Sequence, residues 1–175
     1  MRPALAAMLL TTLLAPFHAH AGDTAADATV VVVVRHAEKG TDDPTDPSLS
    51  DGGQARAQAL AAALAGAGVD AVYTTQYRRT QLTAAPAAEA AGVPVQVRPI
   101  DAKTLPTYDA DLARDLRALP PGSTALVVGH SNTVPTLVRA ISGQTAPAMP
   151  ESEFDRFTVI VLPADGDARV ITTRY

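Results

Sequence analysis

The sequence contains no cysteine among its 175 residues. This absence excludes disulfides, a thiolate nucleophile and any metal site built on thiolates. The chain also has no cluster of basic residues longer than a pair, and its formal net charge is −4. Nucleic acids and anionic membranes are therefore unfavourable partners, although a few arginines that converge locally could still bind a small anion.

The N-terminus has the pattern of a secretory signal peptide, and no later segment resembles a transmembrane helix. Arg2 supplies the positive start, residues 4–15 are apolar but too short to span a bilayer, and residues 19–21 (Ala-His-Ala) form a small-x-small cleavage pattern. We therefore expect cleavage after Ala21, export to the periplasm or the exterior, and no stable membrane association afterwards. An uncleaved membrane anchor is the alternative.

Residues 22–175 have the usual size of one domain. Short apolar runs rich in β-branched residues alternate there with segments typical of helices. Strands are predicted at residues 30–34, 71–73, 95–97, 125–128, 157–162 and 170–173, and helices at residues 53–65, 78–91, 109–119 and 135–141. This alternation predicts a three-layer α/β/α sandwich with a mostly parallel central sheet. Residues 40–49 and 144–153 are loop-like, and each is either a lid or an ordinary solvated connection.

Polar residues directly follow the predicted strands, where ligands bind in open parallel sheets. Arg35 and His36 follow the first strand, Thr74 and Thr75 the second, and His130 follows the strand at residues 125–128. After loss of the leader, His36 and His130 are the only histidines in the sequence, and both occupy such positions. A structural role for each histidine is the alternative, as is a zinc site, for which no third ligand stands at a recognisable spacing.

These residue types suit phosphoryl transfer, which needs a positioned nucleophile and cations on the charged oxygens. A neutral imidazole can attack phosphorus, and water then hydrolyses the phosphohistidine without any metal. Arg35 leaves a buried strand, and Arg78 and Arg79 both stand at the start of a predicted helix, where the positive end of the helix dipole adds to anion affinity. The residues alone leave open which of the latter two binds the anion.

The same segments resemble the histidine phosphatase superfamily, the phosphoglycerate mutase-like fold, in its small branch 1 type. Residues 35–37 (Arg-His-Ala) match its Arg-His-Gly or Arg-His-Ala signature, and residues 49–53 (LSDGG) are similar to its Leu-Thr-x-x-Gly helix start. Residues 73–84 (YTTQYRRTQLTA) are similar to its Ser-x-x-x-x-Arg-x-x-x-Thr-Ala segment, and residues 129–131 (Gly-His-Ser) carry the second histidine. The resemblance covers nearly all of the chain after the leader.

The resemblance implies that His36 is the nucleophile and that Arg35, Arg79 and His130 are catalytic residues that bind the phosphate. It selects Arg79 over Arg78 because Arg79 has the family's spacing to Thr83. Family members usually carry a carboxylate that protonates the leaving oxygen. This sequence offers Asp101, Asp109 and Glu151 for that role without selecting among them.

The expected function is that of an exported phosphatase that acts on a small phosphorylated substrate through a phosphohistidine. No metal or cofactor is expected, and a monomer is the default. The chain is too short for the insertions that enclose a sugar phosphate in phosphoglycerate mutases, which favours hydrolysis over mutase activity. A catalytically silent phosphate-binding or signalling module, and a phosphotransferase or mutase, are the alternative functions.

Overall fold

The computed structural model describes residues 27–175, so the predicted leader, residues 1–21, lies outside the described residues. The strands are β1 (Thr29–Arg35), β2 (Val69–Thr74), β3 (Val95–Val97), β4 (Thr124–Gly129), β5 (Arg156–Leu162) and β6 (Arg169–Arg174). The helices are α1 (Asp51–Ala63), α2 (Arg78–Ala91), α3 (Tyr108–Arg117) and α4 (Val134–Ser142). Each predicted element is confirmed, with ends that differ from the prediction by two residues at most.

The strands form one sheet in the order β3-β2-β4-β1-β5-β6. β1, β2, β3 and β4 run parallel to one another. β5 pairs antiparallel with β1, and β6 pairs antiparallel with β5. The prediction of a mostly parallel sheet is therefore confirmed for its central strands.

Both faces of the sheet are covered by helices. On one face, Val31 and Val33 of β1 pack in a core cluster with side chains of α3 and α4. On the other, Val32 and Val34 pack with side chains of α1 and α2. Since successive strand residues point to opposite faces, a strand buried on both sides needs an uninterrupted apolar run, which the consecutive valines supply. Within residues 27–175, no helix has the length and apolar character that crossing a membrane requires.

The sheet register brings the polar residues together at one edge. Arg35, the last residue of β1, lies opposite Gly129 of β4. Thr74, the last residue of β2, lies opposite Val128 of β4. The three central strands therefore end side by side, and the residues that follow them, including His36 and His130, share one end of the molecule.

Gly53, in the first turn of α1, lies against the backbone that follows β1. A Cβ at this position would lie 2.3 Å from the carbonyl oxygen of Glu38. Because backbone cannot move aside cheaply, we expect Gly53→Ala to lower the free energy of unfolding by about 1–3 kcal/mol. Urea denaturation measures this change.

Gly52→Ala is the matched control for this prediction. Its Cβ would meet a single atom within 4 Å, the Oγ of Ser50 at 3.8 Å. We expect the free energy of unfolding of Gly52→Ala to stay close to that of the unsubstituted protein. Equal stability of the two variants would contradict the close approach of Gly53 to Glu38.

Candidate active site

His36 directly follows β1 and is 3% exposed. Its Nδ1 lies 2.7 Å from the carbonyl oxygen of Ala37. Since a carbonyl oxygen only accepts hydrogen bonds, Nδ1 donates and Nε2 carries the lone pair. The ring of His130 stands edge-on to it, with ring centroids 5.4 Å apart. The structure thus brings together the two histidines predicted for the site, with a nucleophilic nitrogen available on His36.

Both histidines are neutral near pH 7. Burial lowers the pKa of His36 to about 4, and the positive charges of Arg35 and Arg79 contribute further to this lowering. Burial also lowers the pKa of His130 to about 3, assisted by His36 and Arg79. The cause is that a buried site penalises the charged form of imidazole. A neutral ring is the form in which an imidazole nitrogen can act as a nucleophile.

We expect neither ring to titrate near pH 6.5. Because both pKa values are lowered, each imidazole stays neutral as the pH falls through 6.5 and gains a proton only around pH 4 or below. NMR titration of the ring protons from pH 8 to pH 3 measures this, with His36→Gln and His130→Gln used to assign the signals. A midpoint near 6.5 for His36 would contradict the burial that the structure gives it.

Arg35 is held by the segment that precedes β5. Its Nη1 donates to the carbonyl oxygens of Pro150, Glu151 and Glu153 at 3.1, 2.8 and 3.1 Å. Its Nη2 donates to Oε2 of Glu151 at 2.7 Å. The guanidinium also lies 4.2 Å from the ring centre of Phe154. Arg35 is only 2% exposed, and its Nε is buried without a hydrogen-bond partner in the described part of the chain.

Arg156, at the start of β5, holds the same segment from the other side. It forms a bidentate ion pair with Glu153 and donates to the carbonyl oxygens of Pro147 and Ala148 at 2.7 and 2.9 Å. Residues 147–153 are therefore fixed between two buried guanidinium groups. Sequence reasoning did not identify Arg156 or Glu153, because their positions carry no motif.

Arg79 and Arg78 have different environments, although they are adjacent in sequence. The side chain of Arg79 is 15% exposed, and its guanidinium lies 4.2 Å from the ring centre of Tyr77. Its Nη1 lies 3.6 Å from Oδ1 of Asp46, and its Nε is buried without a partner among residues 27–175. The side chain of Arg78 is 50% exposed and pairs with Asp42. The structure therefore places Arg79, and not Arg78, beside the histidines.

Arg35, His36, Arg79 and His130 line one cavity of ~360 Å³ at this end of the sheet. Lys39 adds a third cationic side chain to its lining. Glu151 contributes a carboxylate. Excess positive charge around two neutral imidazoles makes the cavity suited to a small anion.

Thr83 links the loop after β1 to helix α2. Its hydroxyl donates to the carbonyl oxygen of Arg79 at 2.7 Å and accepts the backbone N–H of Ala37 at 2.9 Å. The Thr-Ala pair of the sequence motif therefore has a physical role, since it fixes the loop that carries His36 relative to the helix that carries Arg79.

The three candidate acids occupy different positions. Glu151 lines the cavity, where its carboxylate accepts hydrogen bonds from Ser131 and Arg35, and these contacts lower its pKa. Asp101 does not line the cavity, and backbone N–H groups of Thr104 and Lys103 lower its pKa. Asp109, in α3, also does not line it, and burial raises its pKa. The structure thus brings one of the three carboxylates, that of Glu151, to the histidines.

No group of three or more His, Cys, Asp or Glu side chains within residues 27–175 is arranged to hold a metal ion. Sequence reasoning missed a hydrogen-bonded pair beside His130: the Thr75 hydroxyl lies 3.0 Å from Nε2 of His130 and 2.9 Å from the Thr80 hydroxyl. The position of Thr75 directly after β2 was the available signal, but it did not specify a partner.

Residues 31–100 match the family model described as histidine phosphatase superfamily (branch 1). Comparison with curated protein sequences found no match. Many solved structures share the fold. The match to the family model contains His36, Arg35 and Arg79.

Three solved structures illustrate the likeness. The protein histidine phosphatase SixA complexed with tungstate is 18% identical, with a TM-score of 0.61, and the match covers 83% of this chain and 96% of that one. A SixA protein from Nakamurella multipartitia, provisionally described as a phosphohistidine phosphatase, is 26% identical, with a TM-score of 0.56 and coverage of 84% and 96%. Mycobacterial glucosyl-3-phosphoglycerate phosphatase in complexes with VO3 is 16% identical, with a TM-score of 0.57 and coverage of 83% and 98%.

The family model accounts for β1, α1, β2, α2 and β3, and the solved structures share the fold over more than four-fifths of the chain. Over residues 31–100 the chain is therefore similar to the histidine phosphatase superfamily, branch 1.

Proposed function

We propose that the protein is a phosphatase that transfers a phosphoryl group from a small substrate to Nε2 of His36 and then to water. One observation carries this proposal. The Nε groups of Arg35 and Arg79 are both buried without a hydrogen-bond partner among the described residues. Buried N–H donors are nearly always paired in folded proteins, so two unpaired guanidinium donors beside a neutral nucleophile favour an anionic ligand.

In the first step, the lone pair on Nε2 of His36 attacks phosphorus. A P–N bond forms, the bond from phosphorus to the leaving oxygen breaks, and the electron pair stays on that oxygen. Arg35 and Arg79 bind the phosphoryl oxygens and stabilise their charge. The hydrogen bond from Nδ1 to the carbonyl oxygen of Ala37 keeps the ring oriented and stabilises the positive charge that develops on it.

Glu151 is the candidate donor of a proton to the leaving oxygen. Before substrate binds, the carboxylate of Glu151 is ionised, because its contacts with Ser131 and Arg35 lower its pKa. A phosphate dianion competes with that carboxylate for Arg35 and adds nearby negative charge, and both effects raise the pKa of Glu151. Substrate binding therefore favours the protonated form that a general acid requires.

In the second step, water attacks the phosphorus of the phosphohistidine and gives a proton to the carboxylate of Glu151, which lost its proton to the leaving oxygen in the first step. The P–N bond breaks, phosphate leaves, and Nε2 of His36 regains its lone pair. The same cationic groups stabilise the charge on the phosphoryl oxygens in both steps. The cavity of ~360 Å³ supports a small phosphorylated compound as the substrate, and so does the likeness to the mycobacterial glucosyl-3-phosphoglycerate phosphatase.

We also propose that the protein acts outside the cytoplasm. The support is the sequence pattern of residues 1–21 described above. N-terminal sequencing of the protein recovered from the periplasm or the medium is the test, and the expected first residue is Gly22. Recovery from the cytoplasm with Met1 or Arg2 at its start would contradict the proposal.

Hydrolysis of an aryl phosphate by the purified protein in EDTA tests the proposed reaction. We expect phosphate release at the same rate with and without the chelator. Dependence of the rate on added metal would contradict the mechanism. Transfer of most of the phosphate to an added alcohol would identify a phosphotransferase, and binding of tungstate without turnover would identify a silent binding module.

A further inference from the structure

The hydroxyl of Thr75 lies between His130 and Thr80. Its oxygen is 3.0 Å from Nε2 of His130 and 2.9 Å from Oγ1 of Thr80. Both threonines are fully buried. This short chain of hydrogen bonds joins the cavity wall to the first turn of α2, and the mechanism described above does not use it.

The direction of each hydrogen bond follows from the partners of Thr80. Its hydroxyl lies 2.8 Å from the carbonyl oxygen of Tyr77 and 3.1 Å from that of Thr75. A carbonyl oxygen is a better acceptor than a hydroxyl oxygen, and two carbonyl oxygens lie within reach, so we assign the single proton of the Thr80 hydroxyl to a carbonyl oxygen. Oγ1 of Thr80 is then an acceptor, and the proton of the Thr75 hydroxyl is donated to it. With its own proton donated to Thr80, the Thr75 oxygen accepts from Nε2 of His130, and on this assignment Nε2 carries the hydrogen.

We propose that Thr80 is a positioning residue that, through Thr75, holds His130 in the tautomer with hydrogen on Nε2. This hydrogen bonds to the Thr75 oxygen, and when an anion enters the cavity it is shared with a phosphoryl oxygen in a three-centre hydrogen bond. The role in anion binding rests on the proposed function, whereas the tautomer itself does not. Nε2 is the nitrogen at the tip of the side chain, and His130 lines the same cavity as His36 and Arg79.

The tautomer matters because the ring is neutral. A protonated imidazole would carry hydrogens on both nitrogens and would donate from either. A neutral imidazole with hydrogen on Nδ1 would place the Nε2 lone pair against an anionic oxygen, which is repulsive. Hydrogen bonds to charged groups are worth more than those between neutral groups, so the wrong tautomer should weaken anion binding about tenfold or more.

Thr80→Val tests the proposal because it keeps the shape of the side chain and removes its hydroxyl. The Thr75 hydroxyl then loses its acceptor and becomes free to donate to Nε2 of His130. We expect the hydrogen of the neutral ring to move to Nδ1, as measured by ¹⁵N NMR of the imidazole, and tungstate affinity measured by calorimetry to fall about tenfold. Thr80→Ser keeps the hydroxyl and should restore both properties.

Thr124→Val is the matched control, since it makes the same change at a buried threonine. Thr124 is the first residue of β4, whereas His130 follows the last residue of that strand. We expect it to alter neither the His130 tautomer nor tungstate affinity. A simple loss of packing would lower stability without moving the ring hydrogen, so the tautomer separates a positioning role from a structural one.

The tautomer of His130 in the unsubstituted protein tests the proposal even if Thr80→Val fails to fold. Hydrogen found on Nδ1 of its His130 would overturn the proposal, as would an unchanged tautomer in a folded Thr80→Val. Failure of the proposed function has a different signature. In that case the Nε2–H tautomer would be present while the protein neither bound tungstate nor hydrolysed an aryl phosphate.

Discussion

Replacing His36 by alanine should lower kcat for an aryl phosphate by about four orders of magnitude or more, since loss of a covalent nucleophile removes the reaction path itself. The structure explains why Nε2 of His36 is the nucleophilic atom. Nδ1 of this ring is committed to the carbonyl oxygen of Ala37, so Nε2 is the nitrogen with a free lone pair, and burial keeps it unprotonated at neutral pH. The measurement is steady-state phosphate release by the purified variant, with circular dichroism to confirm folding.

Arg114→Ala is a suitable control for His36→Ala. Its side chain is largely exposed on α3 and does not line the cavity. We expect its kcat to match that of the unsubstituted protein. A folded His36→Ala that retained more than about one hundredth of the activity would rule out His36 as an obligatory nucleophile.

Replacing Arg79 by alanine should lower kcat/KM about 100- to 1,000-fold, the usual effect of removing a donor that stabilises transition-state charge. The adjacent Arg78 provides an internal comparison. Its side chain is half exposed and pairs with Asp42, so Arg78→Ala should change kcat/KM by no more than about threefold. Both values come from the same aryl phosphate assay.

Arg78 and Arg79 are adjacent residues in the first turn of α2. The local effects of the two substitutions on α2 should therefore be similar, and the difference between them reports on the cavity. Equal losses in the two variants would show that the guanidinium of Arg79 does not act on the substrate. Rescue of Arg79→Ala by added guanidinium, but no rescue of Arg78→Ala, would strengthen the assignment.

The fold could be predicted from the sequence because its central strands carry a strong local signal. Residues Val30 to Val34 form an unbroken β-branched run, and such a run suits a strand that is covered on both faces. The helices are bounded by clear signals as well. Gly92 and Gly143 end α2 and α4 with positive φ values of 70° and 75°, where residues other than glycine are disfavoured.

Three of the cavity positions, Arg35, His36 and His130, could also be predicted, since the ends of adjacent parallel strands meet at one edge of the sheet. This rule placed His36 near His130 without knowledge of the loops. The choice of Arg79 over Arg78 came from a resemblance to a family motif. The spacing from Arg79 to Thr83 in that motif decided it, and the structure distinguishes the two arginines by the exposure of their side chains.

The sequence could not identify the carboxylate in the cavity. Glu151 contacts Arg35 across 116 positions of the chain, through a loop with no periodic pattern. Asp101, which has a roughly suitable position in the sequence, and Asp109 were also candidates, but neither lines the cavity. The Thr75–Thr80 pair escaped prediction for a related reason, because hydrogen-bond partners of buried hydroxyls depend on side-chain rotamers and not on strand or helix patterns.

Trapping the covalent intermediate tests the central claim most directly. The protein should be mixed with a ³²P-labelled substrate, quenched in alkali within one turnover, and digested for peptide mapping. We predict an acid-labile label on the peptide that contains His36, and no label in His36→Ala. An acid-stable label, a label on the peptide that contains His130, or substrate turnover without any labelled protein would contradict the account.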